Sequence, residues 1–433
     1  MAPELHTQSG VPRRKFSLDE IRILLEALGN PHRNFRSVLI AGTNGKGSTA
    51  STLASILKAS GLRTALYTSP HLERPNERIK IGGQDISDDD FARRYFQVHD
   101  AAQQLVLSGA LAQLPSFFET LTAMAFLHFS EETAEIAVLE VGMGGRLDAT
   151  NIVDPLLSII TDISLDHTEW LGLTIAAIAR EKGGILRTNG TLITLPQHPE
   201  ANQALGEIAV ALDVRGVSAT PYMPTINAGD VYSVEVLNEQ IEVASPLHGS
   251  HQHRNIALAI AAAVELAGTH GFSITPTSIA AGIRNTRWPG RLEWISARGT
   301  QWVLDVAHNP AGAWALRASL NSLSGTQESP RILVFSCLKD KPVAELAQIL
   351  FPLFDQIVFA PIASPRATPT EDLLAAAEQT GTPARFAETV AIALELAQNL
   401  AEKQGLPQVV VSGSVYLVGE ARSLLLKETD HHA

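Results

Sequence analysis

Short apolar runs alternate with longer, helix-length segments along most of the chain. Residues 36–41 form a mainly apolar run that meets a glycine cluster, and residues 48–60 then carry a helical pattern. The strand signal returns at residues 63–68, 136–141, 157–161 and 191–195. Short apolar strands separated by helical segments predict an α/β protein whose parallel sheet is covered on both faces. Val231, Val234, Val236, Ile241 and Val243 predict a hairpin-like β patch, and residues 251–267 a helix. That helix and residues 277–283 close a first domain. After Trp288-Pro289-Gly290-Arg291 the alternation restarts, with strands expected at 301–306, 331–336, 356–360 and 408–412. The Pro-Gly breaker marks a linker, so the expected division is 1–293 and 294–433.

A length of 433 residues fits two or three domains. With 45% hydrophobic and 18% charged residues the chain is too apolar for disorder and reads as an ordinary globular protein. No short-period repeat or low-complexity segment interrupts it. A net charge of −12 with scattered basic residues argues against gripping nucleic acid or anionic lipid. The single Cys337 excludes an internal disulfide and any CxxC site, and permits a reducing compartment. Arg13, Arg14 and Lys15 are not followed by an apolar stretch, which argues against a signal peptide. The uncharged run 101–118 is too rich in Gln, Ser, Gly and Pro to span a membrane. A cytoplasmic protein is expected. The end, Asp430-His431-His432-Ala433, reads as a frayed polar tail rather than a metal site.

Gly42-Thr43-Asn44-Gly45-Lys46-Gly47-Ser48-Thr49 stands between a strand and a helix, where backbone N–H groups and the helix N-terminus can surround phosphate oxygens. Glycine lets the backbone approach the anion, and Lys46 can neutralise the outer phosphates. The segment departs from GxxxxGK[ST], because Ile40 replaces the first Gly and Gly47 separates Lys46 from Ser48. A plain Gly-rich turn is the bland alternative. Glu140 ends a strand and precedes Gly142-Met143-Gly144-Gly145-Arg146-Leu147-Asp148-Ala149-Thr150-Asn151. In an open parallel sheet the ligand crevice lies beyond the strand C-termini, so Glu140 is placed to hold Mg²⁺ against phosphates. Alone, a Glu at a strand end is more often simply solvated. Ser69 and His71 follow one strand and Asp166-His167-Thr168 another, and both segments open onto that sheet edge. Ser69 and His167 thereby become candidate partners of Glu140, although an isolated His is usually structural. Lys182, 15 residues beyond His167, reads by itself as a solvated lysine. In the second domain Asp305-Val306-Ala307-His308-Asn309-Pro310, Lys339-Asp340-Lys341 and Ser412-Gly413-Ser414 follow strands. Generic loop polarity accounts for each as well as function does.

Together these segments resemble the Mur ligase superfamily, in its folylpolyglutamate synthase/dihydrofolate synthase branch. The resemblance runs from Leu18 to about Tyr416. It is carried by AGTNGKGS from Ala41, TSPHL from Thr68, LEVGMGGRLDATN from Leu139, LDHTEWLG from Leu165, REKGGI from Arg180, PGR from Pro289 and DVAHNP from Asp305. It implies Mur ligase architecture: a phosphate-loop ATPase domain and a smaller Rossmann-like C-terminal domain, with ATP between them. By position it implies Ser69, Glu140 and His167 as ligands of Mg²⁺. Lys182 would be a lysine carbamylated by CO₂ that bridges a second Mg²⁺, an anionic oxygen donor suiting a hard metal. Nucleotide contacts are implied at Asn255, Arg291 and Asp305, besides Asn44, Gly45, Lys46, Gly47 and Ser48. Asp305, His308 and Ser414 match positions tied to incoming L-glutamate or domain closure. Leu147, Asp148 and Ala149 match a loop that contacts the pterin, and Ser116, Phe117, Phe118 and Glu119 another wall of that pocket.

Two departures stand out: Ser17 where many relatives carry Gly, and Gly183 in a pattern that usually reads REKAGI. The implied activity is ATP-dependent addition of L-glutamate to dihydropteroate, to reduced folates, or to both, through an acyl phosphate. Lys46, Lys182 and His308 are the residues expected to serve the reaction, with His308 orienting glutamate. A monomer is expected. The nearest rival is a ligase acting on a UDP-muramoyl substrate. TSPHL, GGRLDATN and the lack of an evident UDP-binding domain before residue 42 disfavour it. A nucleotide switch without ligase chemistry would leave the second-domain motifs without a task.

Overall fold

The structure is a computed structural model that describes residues 17–225, 229–323, 332–403 and 408–429. The expectations for Arg13 to Lys15 and for residues 430–433 lie outside the described residues. The chain forms two compact units. One comprises the chain up to His71, Pro75–Pro246 and His253–Arg287; the other comprises Leu72–Arg74, Leu247–Gln252 and the chain from Trp288.

The first unit is built on eight strands: β1 (Arg36–Ala41), β2 (Thr64–Tyr67), β3 (Ile79–Ile81), β4 (Gln84–Asp85), β5 (Ile136–Glu140), β6 (Leu157–Ile160), β7 (Thr191–Thr194) and β8 (Arg215–Ser218). They lie in the order β4-β3-β2-β5-β1-β6-β7-β8. From β2 to β8 neighbours run parallel, whereas β3 and β4 are antiparallel additions at one edge. Parallel strands need both faces covered, and β1 shows how the sequence meets that need. Leu39 and Ala41 enter one apolar cluster while Val38 and Ile40 enter the other. A separate hairpin, β9 (Val231–Val236) with β10 (Glu239–Ala244), joins the second cluster through Tyr232, Val234, Val236, Ile241 and Val243. Its turn residues Leu237 and Asn238 both have positive φ, the condition for a tight two-residue connection.

The helix Lys46–Ala59 has buried small residues, Ser48 to Ala50 among them, so it packs close to its neighbours. At Gly282 of the helix Pro276–Arg284 an added Cβ would stand 2.3 Å from the backbone of Ile56, and Ser51 and Ser55 donate to the carbonyls of Arg287 and Gly282.

The second unit has six strands: β11 (Glu293–Ala297), β12 (Thr300–Asp305), β13 (Ile332–Phe335), β14 (Gln356–Phe359), β15 (Ala384–Phe386) and β16 (Gln408–Ser412). Their order is β11-β12-β16-β13-β14-β15, all parallel except β11. The two parallel sheets are as expected, and the antiparallel strands β3, β4 and β11 are additions at their edges. The β3–β4 and β11–β12 connections are two residues each, Gly82-Gly83 and Arg298-Gly299, which suits a hairpin and not a crossover. Trp302, Leu304, Val409 and Val411 fill one face of this sheet, and Val303 and Val410 the other.

Leu72–Arg74, although it follows the strand β2 in sequence, is embedded in the second unit. Arg422, on the helix Val415–Thr429, donates to Glu73 at 2.5 Å and to both carboxylate oxygens of Glu293 at 3.0 Å. An added Cβ at Gly419 would stand 2.0 Å from the carbonyl oxygen of Leu72. Among the described residues no helix is long and apolar enough to cross a membrane.

Candidate active site

The phosphate loop leaves β1 in the middle of the first sheet, between β5 and β6. Gly42 has φ +152 and a Cβ there would fall 1.8 Å from Thr161 Oγ1; Gly45 has φ +86 and a Cβ would fall 2.1 Å from Asn255 Oδ1. Any side chain would expel a neighbour, so both glycines are required for the close approach. The N–H groups of Thr43 and Asn44 both donate to the carbonyl of Asp162, at 2.8 and 3.2 Å. With Thr43 and Asn44 so engaged, the amides from Gly45 onward, at the N-terminus of the helix Lys46–Ala59, are the ones placed for a phosphate. Lys46 Nζ lies 3.3 Å from the Thr43 carbonyl, folded back over the loop. Ser48 is buried.

Lys182 is buried and donates from Nζ to the Gly42 carbonyl at 2.7 Å. Burial, with the Lys46 charge nearby, pulls its pKa from 10.5 to about 7, against the opposing pull of Asp166 and Asp148. The solvated lysine suggested by spacing alone is thus a buried, half-neutral amine against the phosphate loop. Glu140 pairs with Ile40 across β5 and β1, and its Oε2 accepts the Ser69 N–H at 3.1 Å. Ser69 and Glu140 are therefore adjacent. His167 has φ +49, and its N–H donates to the Asp166 carboxylate at 2.9 Å, immediately before the helix Thr168–Leu171. Among the described residues no group of three or more His, Cys, Asp or Glu forms a metal cluster. A Ser, Glu and His set contains only two such residues. Its fit to Mg²⁺ rests on donor chemistry: an anchored, buried carboxylate and a neighbouring hydroxyl are oxygen donors suited to a hard cation.

His71, two residues beyond Ser69, accepts from Arg78 Nε at Nδ1, 2.9 Å. Burial, reinforced by Arg78, pulls its pKa down to about 4. Arg78 lies over the ring of Phe117, 5.6 Å from its centroid. Phe118 packs near Tyr67 and against Gly142, where a Cβ would meet the Phe118 ring at 2.7 Å. Ser116 and Glu119 form a capping box at the start of the helix Phe117–Glu131. The Ser-x-x-Glu pattern that builds it is visible in the sequence. Asp148 is buried, and its carboxylate accepts from Met143 N–H, Thr150 N–H and Thr150 Oγ1 at 3.0, 3.0 and 2.6 Å. Burial pushes its pKa up, opposed by those hydrogen bonds. Leu147 is half-buried and Ala149 buried beside it.

In the second unit Asp305 is buried at the end of β12 and accepts from the N–H groups of Leu292 and Ala307 at 3.0 and 2.9 Å. Burial raises its pKa, opposed by Arg291 and His251. Arg291 Nη1 donates to the Gly290 carbonyl at 3.2 Å. His308 Nδ1 donates to the Val306 carbonyl at 2.8 Å, which fixes the ring and makes Nε2 of the neutral imidazole an acceptor. Ser414 is buried, and its Oγ accepts the Tyr416 N–H at 3.2 Å where the last helix begins.

Sequence reasoning missed the groups that brace the loop: Thr161, Asp162, Ser164, Gln197 and Arg254. The run of polar residues just after β6 was a usable signal for the first three. Gln197 and Arg254 are far from the loop in sequence and carried none.

A phosphate loop at the centre of a doubly covered parallel sheet, with a second α/β unit behind it in sequence, defines a nucleotide-dependent α/β enzyme. The Mur ligase middle domain matches residues 40–263, and the Mur ligase glutamate ligase domain matches residues 290–415. The dihydrofolate synthase/folylpolyglutamate synthase of Mycobacterium tuberculosis is 35% identical over 94% of this chain and 90% of that protein. The structure of Mycobacterium tuberculosis folylpolyglutamate synthase complexed with ADP and AMPPCP superposes with a TM-score of 0.86 at 35% identity, covering 95% of each chain. Escherichia coli FolC in complex with DHPP and ADP gives a TM-score of 0.83 at 28% identity, covering 99% of this chain and 96% of that one. Within the Mur ligases, the chain belongs to the dihydrofolate synthase/folylpolyglutamate synthase family.

Proposed function

We propose that this enzyme joins L-glutamate to dihydropteroate and to the γ-carboxylate of reduced folates, at the cost of one ATP per amide bond. The observation that carries the reading is the glutamate ligase domain over residues 290–415, following in sequence a phosphate loop whose Gly42 and Gly45 admit no side chain.

A carboxylate is a poor electrophile, so it must be activated before an amine can attack. The acid's oxygen takes the γ-phosphoryl group of ATP, giving an acyl phosphate and ADP. The glutamate amine then attacks the acyl carbon and inorganic phosphate leaves. Phosphoryl transfer depends chiefly on in-line positioning and charge neutralisation. The amides from Gly45 onward and Lys46 would hold the β- and γ-phosphates, with Asn44, Gly47, Ser48, Asn255, Arg291 and Asp305 completing the nucleotide contacts. His308 Nε2, as an acceptor, would orient the glutamate amine, and Ser414 would stand with it. Ser69, Glu140 and His167 would hold one Mg²⁺ and a carbamate on Lys182 a second. Bound magnesium supplies positive charge to the transferring phosphoryl group. A half-neutral lysine supports carbamylation, because only the unprotonated amine adds to CO₂.

The pteroyl substrate would lie against Phe117 and Phe118 and the 147–149 loop. Since Ser116, Glu119 and Asp148 already bond within their own segments, they would act by holding those walls in shape. A single buried cysteine fits a reducing compartment such as the cytoplasm, where the enzyme would act as a monomer.

The test is ADP release from purified protein with MgATP and L-glutamate, offering dihydropteroate or tetrahydrofolate, with product mass read in parallel. A glutamyl mass increase with both substrates is expected. Turnover with tetrahydrofolate alone would reduce the activity to polyglutamylation, and no glutamate-dependent mass increase with either would overturn the reading.

A further inference from the structure

Two amides of the phosphate loop, those of Thr43 and Asn44, are spent on the Asp162 carbonyl. Thr43 Oγ1 donates to the Ser164 carbonyl at 3.0 Å and accepts the Ser164 N–H at 3.1 Å, while Asn44 Nδ2 donates to Ser164 Oγ at 3.2 Å. Residues 161–164 thus form the back wall of the loop, and Thr161 fills the space a side chain at residue 42 would need.

That wall lies beyond the end of β6 at Ile160, so no strand ladder holds its outer side in register with β7. Two side chains do so instead. Gln197 donates from Nε2 to the Thr161 carbonyl and accepts the Ile163 N–H at Oε1, both at 2.8 Å, as a strand partner would. Arg254 grips the Asp162 carboxylate from Nε, 2.9 Å to each oxygen, and from Nη2 at 2.6 Å, and donates to the Pro196 carbonyl at 3.0 Å. It stands one residue before Asn255, whose side chain occupies the space beside Gly45. A single guanidinium therefore ties the wall behind Thr43 and Asn44 to the helix that covers Gly45.

We infer that Arg254 and Asp162 are a positioning pair for the phosphate loop, setting nucleotide affinity through the backbone of Thr43 and Asn44. Neither is a catalytic residue. The side chains are 29% and 43% exposed, and an ion pair so placed adds little to stability, so its effect falls on geometry. The forked guanidinium matters as much as its charge, because an ammonium cannot reach both carboxylate oxygens and the Pro196 carbonyl from one plane. The inference rests on the phosphate loop being the ATP site.

The test compares Arg254→Ala, Asp162→Asn, the double variant and Arg254→Lys in the full-length enzyme, by amide exchange over residues 43–44 and by ADP affinity. Both single variants should speed exchange at Thr43 and Asn44 and weaken ADP about tenfold, the double no more than either single, and Arg254→Lys should recover part of the loss. KM for L-glutamate and kcat at saturating ATP should stay within about twofold, as expected of an interaction acting on nucleotide binding alone. A pure charge effect would instead weaken ADP in Arg254→Ala and tighten it in Asp162→Asn, and that pattern overturns the inference. Unchanged exchange in both single variants also overturns it. If the wild-type enzyme binds no ADP, the ATP-site reading falls, while the exchange measurement still decides the pair.

Discussion

Lys182 and Gly42 are joined by a hydrogen bond of 2.7 Å from a buried amine to a main-chain carbonyl, across 140 residues of sequence. The contact places a buried lysine, whose charge is suppressed by its surroundings, directly against the loop that receives phosphate.

At a pKa of about 7, roughly half of Lys182 is neutral at pH 7, against about one part in 3,000 for a lysine at 10.5. CO₂ should therefore add to this side chain in neutral buffer, more readily as pH rises through that value. Carbon-13 spectra of the enzyme under labelled CO₂ should show a carbamate signal that grows between about pH 6 and 8 and is absent in Lys182→Met. A signal that survives the substitution would place the carbamate elsewhere.

Gly45→Ala should abolish nucleotide use. The new Cβ meets Asn255 at 2.1 Å with φ at +86, so the loop or the covering helix must move. Displacement on that scale costs at least about a hundredfold in ATP turnover. Calorimetry with ADP checks it directly, and ordinary binding would show that the loop has another rest position.

His71 makes stability depend on pH. Its folded pKa of about 4 lies below the ordinary 6.5, so between those values the unfolded chain binds more protons than the folded one. Its contribution is full above pH 6.5 and is lost as pH falls toward 4. Protonation removes the Nδ1 acceptor of Arg78. Thermal melts across this window should climb with pH in the wild type and climb less in His71→Gln, which keeps an acceptor without the titration.

Ser116→Ala separates a cap from a binding group. Losing the capping box should lower stability by about 1 kcal/mol. With Ser116 acting only by holding its helix in shape, KM for the pteroyl substrate should stay within about twofold. A large rise in that KM with unchanged melting would make the hydroxyl a direct contact.

Strands β1, β5, β6, β12, β13 and β16 were legible because each is largely buried on both faces and so reads as a mainly apolar run. β8 was not, because Arg215–Ser218 is an edge with little buried surface and no apolar signature. β3 and β4 are only three and two residues long. The phosphate loop was legible because its glycines and lysine are contiguous. Its bracing was not, because Gln197 and Arg254 act as isolated polar side chains whose partners are set by tertiary contact. The burial of Lys182 was hidden for the same reason: its helix is charged at Arg180 and Glu181, and only the fold turns residue 182 inward.

The bond between Glu73 and Arg422 spans 349 positions, and it has a consequence for synthesis. At about 5–20 residues per second, a ribosome exposes Glu73 and Leu72 roughly 20–70 seconds before their anchoring helix exists. The segments around β1, β5 and β6 can condense meanwhile, yet the stretch following Ser69 waits for the helix Val415–Thr429. Nascent chains released short of Arg422 should carry that stretch undocked and open to proteases, so quality control can recognise a chain that lacks this helix by the state of residues 72–74.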